Sequence, residues 1–310
     1  MSMGLFTPIY MKGNLNLKQQ RKALEKVAAI ADPDRLFRIA LSAPMTAVAT
    51  KAVEVLNDSN MLRRVAWESG NLSVRRAAAE KLTDAEALIS LAGAEPELFD
   101  TCLRRLKALG DKRGLARLFI EYTVRDETRS INAIDREYGR VVEKLRGVAD
   151  QEVIEAVARG ARKAKIRAGA VKLLESPKAL AEIAKGDRDA VVRRAAINSP
   201  NFTDIGTLAG IAGNESLGLD AYRWSAALRL TGLAPERAVG PLVMLLAKTG
   251  GAKEDRERLQ AAVRFLEERY RNAKGEERER IAALKNGQYG LNWKGPCWHE
   301  DASVHFDIAR

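Results

Sequence analysis

The sequence predicts an all-α protein, a solenoid in which pairs of short helices stack side by side. Three observations carry this. A pattern recurs at a near-constant period, one position of that pattern holds a helix-capping residue in every copy, and the apolar content is rich but poor in rings. Hydrophobic residues make up 46% of the chain and aromatics only 5%. A core built from them must therefore be mostly Ala, Leu, Val and Ile, as closely packed helices require.

The period is read most clearly in Val74–Ala92, VRRAAAEKLTDAEALISLA, where Leu82, Asp84, Leu88 and Ala92 form an apolar-x-Asp-x-x-x-Leu-x-x-x-Ala frame. The same frame precedes it as Ile30, Asp32, Leu36, Ala40 and as Leu56, Asp58, Leu62, Ala66. It follows as Leu109, Asp111, Leu115, Phe119; Val148, Asp150, Ile154, Ala158; Leu174, Ser176, Leu180, Ala184; and Phe202, Asp204, Leu208, Ala212. Successive capping positions are 26, 26, 27, 39, 26 and 28 residues apart. Self-similarity at such a period is the signature of a repeat architecture.

The chemistry of the frame explains its spacing. Asp or Ser stands just before an i, i+4 apolar pattern, where its side-chain oxygen accepts from a backbone N–H that the helix itself leaves unpaired. Pro33 and Pro177 follow two of the caps. Proline is favoured at the first helical position because the N–H it lacks would have no partner there. The first half of each unit reads as a short helix with alanines on its buried face. Helices this short are marginal alone, so stacking of neighbouring units must make the core.

These residues carry a resemblance. Val192–Ala212, VRRAAINSPNFTDIGTLAGIA, is similar to a unit of the leucine-rich-repeat-variant and short HEAT-like families. VRRAAAEKLTDAEALISLA and the opening MGLFTPIYMKGN resemble bacterial HEAT-like proteins with repeats of this length. The likeness covers residues 20–215 clearly and 216–285 loosely. It implies a right-handed α-solenoid superhelix and no particular activity. Some leucine-rich-repeat-variant proteins carry an N-terminal cysteine-ligated iron–sulfur module, but no cysteine precedes Cys102 here, so that cofactor is not implied.

The expected organisation is an N-terminal cap segment over 1–20, helical repeats over 21–249, capping helices over 250–285 and an irregular tail over 286–310. Two departures from the rhythm stand out. Ile120–Gly139 lengthens one unit by a helix or a longer loop, and 254–284 reads as a long charged helix with a break near Gly275. A polar C-terminal cap is what a solenoid needs for solubility.

Lys and Arg number 52 against 41 Asp and Glu, a net charge of +11. That balance favours acidic partners, nucleic acid among them, although a solvated basic surface explains it equally. The sharpest cluster is Arg159, Arg162, Lys163, Lys165, Arg167 and Lys172, a run without an acid. Cationic side chains beside a helix N-terminus suit phosphate. Both histidines lie in the tail, and Cys297, His299, His305 and Asp307 are a conceivable zinc set. Their spacing matches no standard finger, and packing of Trp293, Trp298 and Phe306 is the alternative, so no cofactor is expected.

No hydrolase elbow, phosphate loop, zinc-protease helix or dinucleotide fingerprint is present. Two cysteines far apart suggest a reducing compartment. The N-terminus has no secretory pattern, and no apolar run is long enough to span a bilayer, so a cytoplasmic protein is expected. The expected function is a non-enzymatic scaffold binding a protein or peptide. The alternatives are a nucleic-acid-binding HEAT-like protein and an alkyl-DNA glycosylase of that fold. The glycosylase reading would need Trp67 or Trp224 in a groove, and each is expected in the core instead.

Overall fold

The computed structural model describes residues 8–122, 130–214 and 221–234, with scattered positions from 237 to 275. Among these the chain is all-helical, with no strand. Fifteen α-helices follow one another: α1 (Leu17–Ala28), α2 (Pro33–Ser42), α3 (Thr46–Val55), α4 (Ser59–Glu68), α5 (Leu72–Lys81), α6 (Ala85–Ala94), α7 (Phe99–Ala108), α8 (Lys112–Ile120), α9 (Ile131–Val148), α10 (Gln151–Gly160), α11 (Ala164–Val171), α12 (Pro177–Gly186), α13 (Ala190–Ile197), α14 (Ile205–Gly213) and α15 (Ala221–Leu233). The chain divides into two compact units, Met1–Ile166 and Arg167–Arg310.

The repeat frame sets where the even-numbered helices begin. All seven capping residues accept a hydrogen bond from a backbone N–H of the helix they precede. Asp58 takes it from Met61, Asp84 from Glu86, Ser176 from Ala179 and Asp204 from Thr207. Pro33 and Pro177 sit in the first turn of α2 and α12, as their sequence position predicts. The two apolar positions that follow the cap in each copy of the frame are buried, from Leu36 and Ala40 through Leu208 and Ala212. Odd-numbered helices bury their alanines: Ala52, Ala78, Ala79 and Ala196 are fully inside.

Within the first unit, α1, α3, α5 and α7 pack in succession, and α2, α4, α6, α8 and α10 form a second row against them. In the second unit α13 packs on α15 and α12 on α14, with α12·α13 and α14·α15 joining the rows. Each row hides one stripe of each helix, so each helix keeps one face toward solvent.

The joints are closed by side chains on main-chain carbonyls. A helix leaves its last carbonyls without intrahelical partners, and a cation there also meets the negative end of the helix dipole. Arg75 Nε donates to Ala66 O at 3.0 Å, and Arg223 Nε and Nη2 donate to Ala212 O at 3.2 and 3.1 Å. Arg193 Nη1 donates to Asp187 O at 2.8 Å, just past α12. Arg75 also lies 3.0 Å from Glu95, which follows α6 in the same repeat. Arg105 Nε likewise reaches Leu82 O at 2.7 Å, and Asn201 Nδ2 reaches Leu174 O at 3.1 Å.

The longest step of the repeat is accommodated by α9, an 18-residue helix where its odd-numbered counterparts have eight to thirteen. Lys107 donates to Gly147 O and Lys144 pairs with Asp100, holding α9 beside α7. Phe99, Phe119 and Tyr122 meet edge-to-face, with centroids 5.8 and 5.2 Å apart. Phe119 thus fills with a ring a frame position that elsewhere holds alanine.

One frame residue is misplaced by the sequence pattern. Leu109 is exposed, because α7 closes through Gly110 at φ +68° with Asp111 N–H bonded to Leu106 O. Leu106 takes the buried place instead. Glycine suits this turn because a side chain is strained in the left-handed region. Gly275, where the sequence predicts a break, has φ +59°.

Candidate functional site

The residues of the basic run Arg159–Lys172 are divided between the two units and differ in exposure. Arg159 is exposed on α10 but donates to Glu155 on the same helix at 2.9 and 2.8 Å. Arg162 is exposed in the turn before α11, and its backbone N–H bonds Ile120 O. Lys163 is half-buried, and Lys165 is exposed and paired with Asp135 of α9. Arg167 belongs to the second unit and is only 2% exposed. Its Nε and Nη2 form a two-pronged pair with Asp187 at 2.9 and 3.0 Å. Lys172 is exposed at the far end. A guanidinium buried against a carboxylate is a structural ion pair, so Arg167 offers no charge to a ligand on the surface. Cys297, His299, His305 and Asp307 lie outside the described residues.

Trp67 corrects the expectation that it is core. It is 42% exposed, whereas Trp224 on α15 is half-buried. Trp67 stands near the end of α4, on the solvent face of the even-numbered row. There a groove of about 460 Å³ opens between α4 and α6, lined by Arg63, Arg64, Trp67, Glu68, Asp84, Glu86, Ala87 and Ser90. The small side chains of Ala87 and Ser90 leave the indole uncovered.

Most charges in the groove are already engaged. Arg64 Nε and Nη2 donate to Glu68 at 2.8 and 3.2 Å, and the same guanidinium lies over the Phe37 ring at 4.5 Å. This pairing raises the Arg64 pKa and lowers that of Glu68. Glu86 pairs with Arg117 of α8, which also bonds Glu121. Asp84 caps α6. Arg63 is exposed and has no carboxylate partner among the described residues.

A larger depression of about 820 Å³ lies in the second unit, lined by Lys185, Arg193, Asp204, Gly206, Thr207, Gly210, Ile211, Asn214 and Tyr222. Its polar groups hold the fold together. Asp204 Oδ2 accepts from the Thr207 hydroxyl at 2.6 Å while Oδ1 accepts the Thr207 N–H at 3.0 Å. Those two bonds, the hydroxyl first, hold its carboxyl below the usual carboxylate range. The Arg193 guanidinium stacks 5.0 Å from the centre of the Tyr222 ring, and the Tyr222 hydroxyl donates to Ala184 O.

No group of three or more His, Cys, Asp or Glu able to hold a metal occurs among the described residues. Cys102 is buried, and burial pushes its thiol up to about 12, which keeps it protonated and poorly nucleophilic. Among the described residues no helix is long and apolar enough to cross a membrane. The chain matches no protein-family model, no curated protein and no solved structure.

Proposed function

We propose that the chain is a non-enzymatic binding scaffold: a right-handed α-solenoid of short HEAT-like, leucine-rich-repeat-variant units that takes a protein or peptide segment on its surface in the cytoplasm. Repeat solenoids offer extended surfaces built from one face of successive helices. The observation that carries the reading is the solvent face of the even-numbered row, where Trp67 stands 42% exposed above a groove. An uncovered tryptophan in a concave place suits an interface, because tryptophan is enriched among the residues that dominate binding energy. The nucleic-acid alternative draws on the net charge of +11. It is weakened by Arg167, whose charge is matched in a buried pair, and by Lys165 and Arg159, which are paired with carboxylates at the surface.

The full chain, incubated with native lysate with and without nuclease and then chemically cross-linked, tests this. The expected result is a saturable protein partner, captured equally after nuclease and cross-linked to α2, α4, α6 or α8. Capture abolished by nuclease would transfer the assignment to nucleic acid.

A further inference from the structure

The groove between α4 and α6 has a composition that selects among peptides. It offers one uncovered aromatic face, Trp67, which makes no ring contact or hydrogen bond among the described residues. Of its two guanidiniums, Arg64 is held by Glu68 while Arg63, four residues before Trp67, has no carboxylate partner among the described residues. Residues four apart are neighbours on one face of a helix. Arg63 and Trp67 therefore share the exposed face of α4 and line the same groove. One repeat earlier on the same row, Arg38 is exposed and donates only to a carbonyl, Asp34 O at 3.3 Å.

From this geometry we infer that the α4–α6 groove binds an extended peptide segment carrying an aromatic or large apolar side chain next to a carboxylate. The apolar side chain packs on the Trp67 indole, and the carboxylate pairs with Arg63. The inference rests on the scaffold reading above and specifies its ligand.

Two features of the site favour a peptide of this kind. At about 460 Å³ the groove has room for a large side chain and the backbone bearing it, not for a helix. Its lining carries three carboxylates, Glu68, Asp84 and Glu86, against two guanidiniums. A phosphate backbone needs several uncompensated cations in a line, and the lining offers one, Arg63, among the described residues. A single carboxylate seated on Arg63 meets the one cation of the groove not already engaged among the described residues. Ser90, on the opposite wall, has a hydroxyl able to bond the peptide main chain.

The test is selection of a random heptapeptide library on the immobilised full chain, followed by fluorescence anisotropy of the selected peptides against variants. Trp67 and Arg63 are exposed, so Trp67→Ala and Arg63→Glu should fold, which circular dichroism checks directly. The expected result is enrichment of peptides with Asp or Glu adjacent to Phe, Tyr, Trp or Leu. Their affinity should fall by about tenfold or more in Trp67→Ala, as for a central interface anchor. It should fall in Arg63→Glu and recover in part when the peptide's acid is changed to Lys. Rising salt should weaken binding to the wild type. Selected peptides that bind both variants as well as the wild type would overturn the groove assignment and leave the scaffold reading standing. No enrichment at all would overturn the peptide assignment, whereas the scaffold reading stands or falls on the cross-linking experiment. Retention of oligothymidylate that is lost in Trp67→Ala would replace the peptide with single-stranded nucleic acid.

Discussion

Gly114→Ala in α8 sets two opposed effects against each other, and the structure says which wins. In a helix interior alanine is favoured over glycine by roughly 0.5–1 kcal/mol, because glycine loses more backbone freedom on folding. At Gly114 the added Cβ would lie 2.5 Å from Asp111 Oδ2, 2.9 Å from Asp111 Cγ and 3.0 Å from Leu106 Cδ2. The Asp111 carboxylate is the cap of α8, accepting the Gly114 N–H at 2.8 Å, and displacing it forfeits a cap worth ~1 kcal/mol. Leu106 is fully buried, and crowding a packed core costs about 1–3 kcal/mol. The variant should therefore be less stable by about 1–3 kcal/mol, the lost cap and crowding exceeding the propensity gain. Gly210→Ala in α14 is the control: nothing lies within 4 Å of its Cβ, so the propensity gain stands alone and the protein should be stabilised. Urea unfolding followed by far-UV circular dichroism measures both, with the slope checked for constancy. The double variant Asp111→Ala, Gly114→Ala should cost less than the sum of the singles, because removing the carboxylate removes the contact. A Gly114→Ala protein unfolding at or above the wild-type midpoint would refute the steric account.

Two further outcomes follow from the caps. Asp58→Ala and Asp84→Ala should each lose ~1 kcal/mol, because each side chain accepts one backbone N–H in the same repeat position; equal unfolding midpoints in wild type and both variants would show that neither cap contributes. Asp204 is held below the usual carboxylate range by the Thr207 hydroxyl and N–H, so its contribution is present above about pH 4 and lost as pH falls through the depressed folded value. The stability deficit of Thr207→Val should accordingly be largest near neutral pH and shrink below about pH 4, which unfolding curves across a pH series would reveal.

The features legible in the sequence are those that depend on near neighbours in the chain. A cap is a contact between residues two or three apart, so Asp32, Asp58, Asp84, Asp111, Asp150, Ser176 and Asp204 mark seven helix starts by sequence position alone. The buried stripe follows from the 3.6-residue turn, and the all-helical class from both. What the sequence could not decide depends on partners far along the chain. Arg167 reads as one more cation in a basic run; its burial is fixed by Asp187, 20 residues on. Lys165 likewise finds Asp135 on a different helix. Leu109 occupies a frame position, but the left-handed turn at Gly110 lets Leu106 take the core instead. Trp67 reads as core by its ring and its place near the end of an amphipathic helix. It is exposed because it shares with Arg63 the face of α4 opposite the buried Leu62, Val65 and Ala66, and the packing of α4 on α6 determines which side chains line the groove beside it. Local hydrogen bonding writes the repeat into the sequence, whereas burial and exposure are sums over neighbours that only the folded chain brings together.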